Sequence, residues 1–168
     1  MSGNRCGVLY TANARLLRAM EELGPTNGVS NFFQHAAAAV FEDEALVHRY
    51  LEENRANLRR SLAVLASGLE GLGVPFVRPH GGLFVWIDLR GVVAAGGASA
   101  AWINEKLVRR YRVVMTPGSM AYGEDGFFRI CFASVPVTTL EELIRRLRAL
   151  VIQGTGRGAL VEFIDSHK

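Results

Sequence analysis

Val74-Pro75-Phe76-Val77-Arg78-Pro79-His80-Gly81-Gly82-Leu83-Phe84-Val85-Trp86-Ile87-Asp88-Leu89 is the stretch on which the fold turns. Val74 to Val77 and Leu83 to Leu89 are rich in β-branched and aromatic residues and read as two strands. Between them, Arg78 to Gly82 contains a proline and two glycines, the punctuation of a turn. Before this stretch the apolar residues follow a helical period; after it, strands and helices alternate.

Working backward, Leu58, Leu62, Leu65, Leu69 and Leu72 recur at spacings of four and three. They predict a helix from about Asp43 to Leu72 that ends at Gly73, with Pro75 beyond. Its length, about 45 Å at 1.5 Å per residue, suits a strut between two lobes. Asn31 to Phe41 predicts a shorter helix with Phe33, Ala36, Ala37 and Val40 on one face. Ala12 to Leu23 predicts another, carrying Leu16, Leu17, Met20 and Leu23 and stopped by Gly24-Pro25.

Working forward, Ser99 to Tyr111 reads as a helix, and Arg112 to Met115 and Phe127 to Ala133 as strands. A last helix opens on Thr138-Thr139-Leu140-Glu141, the pattern of a capping box. Its apolar face is Leu140, Leu143, Ile144, Leu147 and Val151, and Glu141–Arg145 and Glu142–Arg146 are spaced as i,i+4 pairs. The fold class is therefore α/β, with N-terminal helices, a long helix and a lobe of order ββαββα. Its segments are 1–42, 43–72, 73–153 and a tail, 154–168.

With 49% hydrophobic and 21% charged residues, a chain of 168 residues is able to bury a core. No apolar run reaches the roughly 18 residues of a bilayer span, and no secretory signal is evident, so the chain reads as soluble and cytoplasmic, without a membrane partner. The net charge of +3 comes from arginines set among glutamates on helical faces, which reads as ion-paired surface rather than a nucleic-acid stripe. Cys6 and Cys131 lie too far apart for a small disulfide framework. The histidines His35, His48, His80 and His167 are scattered, so no metal site is expected. Ser119, in Pro117-Gly118-Ser119-Met120-Ala121, lacks the nucleophile-elbow pattern of a serine hydrolase.

Two arginines stand out. Arg5 sits in Gly3-Asn4-Arg5-Cys6-Gly7, where flanking glycines admit either a simple turn or close approach to a phosphate. Arg129 sits in Phe127-Phe128-Arg129-Ile130-Cys131-Phe132-Ala133, and alternation puts it opposite Phe128, Ile130 and Phe132. There it is either a solvated surface arginine or a bidentate clamp for a carboxylate.

Taken in order, Gly3-x-Arg5-x-Gly7-Val8, Gly82 to Leu89, Pro117-Gly118-Ser119 and Gly126 to Ala133 resemble the motifs of class I and II aminotransferases. These are pyridoxal 5'-phosphate (PLP) enzymes of fold type I. Trp86-Ile87-Asp88-Leu89 and Arg129-Ile130-Cys131-Phe132-Ala133 are most similar to the aminocyclopropane-carboxylate-synthase-like subgroup.

The resemblance implies the C-terminal portion of such an enzyme: 1–42 from the large domain, 43–72 as the interdomain helix and 73–153 as the mobile small domain. It implies Arg5 on the cofactor phosphate and Arg129 on the α-carboxylate of an amino-acid substrate, in transamination or in elimination as a lyase. It implies a homodimer with Asn27 to Phe33 near the interface. The family's Schiff-base lysine would align upstream of Met1, and only Lys106 and Lys168 occur here, so no catalytic residue is assigned and stable PLP binding by this chain is not expected. The alternative is a truncated, non-catalytic pseudoenzyme or interaction module that pairs with an intact relative through the region from Asn27 to Phe41.

Overall fold

Helix boundaries in the first third of the chain follow from three short side chains that cap them. In the computed structural model, which describes residues 6–95 and 99–155, Asn13 accepts from the backbone N–H groups of Arg15 and Leu16 at 3.0 and 3.3 Å. Helix α1 then runs Ala14–Asn27. Ser30 accepts from Phe33 N–H at 3.3 Å and starts α2, Asn31–Glu42. Asp43 accepts from Leu46 N–H at 2.9 Å and starts α3, Glu44–Gly71. Each carboxylate, amide or hydroxyl satisfies donors that the first turn cannot.

Gly24-Pro25 does not stop α1 as the sequence predicts; the helix continues to Asn27. Proline's φ is itself helical, and in the last turn its missing N–H removes only one bond.

The chain divides into two compact units, Met1–Glu52 and Glu53–Lys168. No described residue of the first unit is buried, and Leu16, Leu17, Met20 and Leu23 all remain exposed. The core belongs to the second unit.

There α3 ends where Gly73 takes a left-handed φ of 64°, a conformation that glycine enters without a Cβ penalty. The turn feeds β1, Phe76–Val77, which pairs antiparallel with β2, Phe84–Asp88. Helices α4, Arg90–Ala95, and α5, Ala100–Arg109, follow. Then come β3, Thr116–Pro117, a 3₁₀ turn over Gly118–Ala121, β4, Phe127–Cys131, and α6, Val137–Thr155. The sheet order is β1-β2-β4-β3, antiparallel throughout. This is the α/β architecture expected, with α4 as an additional short helix. Both outer strands are two residues long.

Register assigns the two faces. Val85 opposes Ile130 and Ile87 opposes Phe128, and this face is buried with Leu65 and Leu69 of α3, Ile103 and Leu107 of α5, and Leu140 and Leu147 of α6. The other face carries Phe84, Trp86 and Asp88 opposite Cys131, Arg129 and Phe127.

Two expectations are corrected. Arg112 to Met115 is not a strand; the ladder begins at Thr116. Arg112 takes a φ of 55°, and Val113 N–H donates to the Leu107 carbonyl at 2.9 Å, so this backbone closes the end of α5 instead of pairing with β4. Nor does Thr138 cap α6: the Pro136 carbonyl accepts from Thr139 and Leu140, which starts the helix one residue earlier.

Arg145 pairs with Glu142 rather than Glu141, and Glu142 also binds Arg146, with N···O distances of 2.6 Å to both. Arg146 in turn donates to the Arg112 carbonyl at 2.8 Å, tying α6 to the turn after α5. The two guanidinium groups, Arg145 first, hold the Glu142 carboxyl at about 2, down from 4.5. A carboxyl depressed on folding contributes stability above its unfolded pKa and loses it as pH falls through the folded one. Wild type and Glu142→Gln are therefore expected to differ in melting temperature above pH 4.5 and to converge as pH falls toward about 2. A gap that stays constant across that window in thermal melts would mean that the cluster is not the source.

Candidate functional site

The open face of the sheet has one cation at its centre. Arg129 is placed there by strand alternation: Phe128 and Ile130 on either side of it are buried in the core, so its own Cβ points the other way. Trp86 lies directly opposite on β2 and Thr116 on β3. Its guanidinium carbon sits 4.4 Å from the centroid of the Phe84 ring. Its Nε is buried and has no hydrogen-bond partner. The residue as a whole is half-buried.

The acid on the same face is already taken. Arg90 binds Asp88 through Nε at 3.0 and 3.1 Å and through Nη2 at 2.8 Å, while its backbone N–H donates to Oδ1 at 2.9 Å. These hydrogen bonds, before any other cause, hold the Asp88 carboxyl below its ordinary range. Asp88 thus starts α4 and is neutralised by it. A bidentate, charge-assisted pair of this kind leaves little acceptor capacity for a second arginine.

Arg90 also reaches Glu124 at 3.0 Å and lies 4.5 Å from the Phe127 ring centroid. It fastens the loop after β3 to the end of β2. In that loop Gly118 approaches the Glu124 carbonyl so closely that a Cβ would collide with it. Gly123 N–H donates to the Gly118 carbonyl at 2.8 Å, and Gly123 meets the Trp86 ring, 3.2 Å from where a Cβ would stand. The Pro117-Gly118-Ser119 motif is thereby brought beside Trp86 and, through it, beside Arg129. A cavity of about 620 Å³ opens next to Arg129, with Met115, Cys131, Thr139 and Leu143 among its lining residues.

Arg5 lies outside the described residues. Lys106, the lysine among those described, is on α5, whose Ile103 and Leu107 pack into the core behind the sheet, and its ammonium lies 4.4 Å from the Trp102 ring centroid. It is not on Arg129's face. Among the described residues no cluster of three His, Cys, Asp or Glu side chains could hold a metal, and no helix is long and apolar enough to cross a membrane.

Sequence reasoning missed Phe84 and Arg90. Asp88-Leu89-Arg90, an acid two residues before an arginine at a helix start, carried a usable signal for the second. Nothing local marked the first, since its contact with Arg129 depends on register.

Comparison with known proteins gives one consistent answer. The family model for aminotransferases of class I and II matches residues 1–147. 1-Aminocyclopropane-1-carboxylate synthase 4 of Oryza sativa subsp. japonica is 35% identical over 154 residues, covering 88% of this chain and 31% of the relative. The 1-aminocyclopropane-1-carboxylate synthase of Malus domestica is 31% identical over 153 residues, covering 90% and 32%. The chain thus spans about a third of the length of the curated relatives it matches.

Among solved structures, an aromatic aminotransferase from Pyrococcus horikoshii OT3 superposes with a TM-score of 0.64 at 28% identity, covering 74% of this chain and 32% of that one. Aspartate aminotransferase from Thermus thermophilus with maleate gives 0.71 at 22% identity, covering 81% and 34%, and shares the fold.

Proposed function

Because the chain belongs to the class I and II aminotransferase family, we propose that it supplies the substrate-carboxylate grip of a PLP-dependent enzyme similar to the 1-aminocyclopropane-1-carboxylate synthases. In this reading Arg129 holds the α-carboxylate of an amino acid and Arg5 the cofactor phosphate, in a homodimeric parent that transaminates or eliminates.

One observation carries it: a buried guanidinium Nε without a partner, on a face whose single acid is occupied by Arg90. A planar cation kept unpaired and partly desolvated is suited to an anion that arrives with two oxygens. Gripping the carboxylate there fixes the substrate's α-carbon relative to the sheet, so that its reacting bonds keep one orientation.

When bound, PLP supplies an electron sink at the α-carbon. The described residues fit the carboxylate and do not fit that cofactor's attachment: Lys106 belongs to the helical layer behind the sheet. No covalent step is assigned to this chain.

Maleate, the dicarboxylate with the Thermus enzyme, is a suitable probe. Titrated into the ¹⁵N-labelled chain at constant ionic strength, it is expected to shift the Arg129 Nε–H resonance with a Kd of roughly millimolar to tens of millimolar, the range of one charge-assisted pair. Shifts confined to other arginines would sink the assignment.

A further inference from the structure

Resting on that carboxylate reading, we infer that Phe84 is the positioning residue that holds the Arg129 guanidinium ready for its ligand. An arginine that must wait unpaired for a substrate has a difficulty of its own: its side chain has many rotamers, and freezing one on binding weakens the complex. The usual remedy is a neighbouring carboxylate, but a carboxylate competes with the ligand for the same donors.

On this sheet the neighbouring Asp88 is bound to Arg90, and the contact that Arg129 makes is with a ring, at 4.4 Å. Register makes this geometry possible. Phe84 opposes Cys131, so it is the diagonal neighbour of Arg129 on the same face, at a distance that long and aromatic side chains span.

An aromatic face attracts the guanidinium through the ring's quadrupole and takes no hydrogen bond in its plane. The N–H donors at the edges therefore stay available for a carboxylate, while the side chain is held in place. Burial does not account for Phe84, which remains 42% exposed although its strand neighbours Val85 and Ile87 are in the core.

The test is the maleate titration repeated on the full chain with Phe84→Tyr, Phe84→Leu and pentafluorophenylalanine at position 84, all at matched ionic strength. Leucine keeps the apolar bulk and loses the ring; the fluorinated ring keeps the shape and reverses the quadrupole. The expected result is an affinity within about twofold of wild type for tyrosine, and about three- to tenfold weaker for the other two. Pentafluorophenylalanine matches the native shape, so it still decides the matter if the leucine variant fails to fold.

Wild-type affinity in the fluorinated chain, or in a folded leucine variant, would overturn the inference while leaving the carboxylate reading intact. A maleate response of the β4 amides that persists undiminished in Arg129→Met would overturn both.

Discussion

Arg129→Met is expected to yield a chain that melts higher than the wild type and no longer responds to maleate. The two halves of this result have one cause. A buried donor with no acceptor costs about 1–3 kcal/mol of desolvation, and Arg129 Nε is such a donor. Methionine is unbranched, covers the same surface between Trp86 and Thr116, and has no N–H to leave unsatisfied. Against this gain stands the loss of the ring contact with Phe84, about 0.5–1 kcal/mol. The balance is a gain of about 1 kcal/mol, or a rise in Tm of roughly 2–4 °C for a domain of this size. The thioether offers a carboxylate nothing, so affinity should fall beyond detection. Near-UV circular dichroism melts and the maleate titration measure the two quantities. A variant that melts lower would show that Arg129 is satisfied by contacts made in the folded chain and is not held in reserve.

Phe128→Ala is expected to have the largest effect on stability, about 3–5 kcal/mol. Phe128 is fully buried at the centre of the covered sheet face, opposite Ile87 on β2 and Pro117 on β3, and faces the side chains of α3, α5 and α6. Truncation removes the transfer free energy of a ring and leaves a void that strands on both sides prevent from closing. Domains of this kind are stable by about 5–15 kcal/mol, so the loss is a large share of the whole. Urea unfolding followed by tryptophan fluorescence should show a midpoint lowered in proportion. A change below about 1 kcal/mol would mean that the helices do not pack on this face as described.

The contrast between these substitutions shows what could be read from the chain alone. Alternation within Phe127 to Cys131 was enough to separate Phe128 from Arg129, because a strand has a period of two whatever its neighbours. The start of α2 at Asn31 was legible from the helical period of its apolar face, and the end of α3 at Gly73 because a left-handed glycine acts within a turn of itself. The same local logic failed at Arg112 to Met115. Those residues look like a strand, and Val113 and Met115 are indeed buried alternately, but the backbone is committed to closing α5. It failed again at Thr138, where the Pro136 carbonyl starts α6 first.

What makes Arg129 unusual was not legible at all. Its ring partner is fixed by β2–β4 register, and the occupation of Asp88 by an arginine that also reaches Glu124 spans 34 residues. A sequence shows which residues could be charged. It does not show which charges are already neutralised.

Short outer strands have a consequence for how this chain behaves in company. Phe76–Val77 and Thr116–Pro117 bound the sheet, and the second includes a proline, which has no N–H to offer. Another extended chain arriving at either border finds too few free ladder groups to register upon, so fibril growth by strand addition is blunted at both sides. Exposed side chains such as Phe32 and Phe41 of α2 offer self-association a different route, one that added charge can suppress without disturbing a single backbone bond of the sheet.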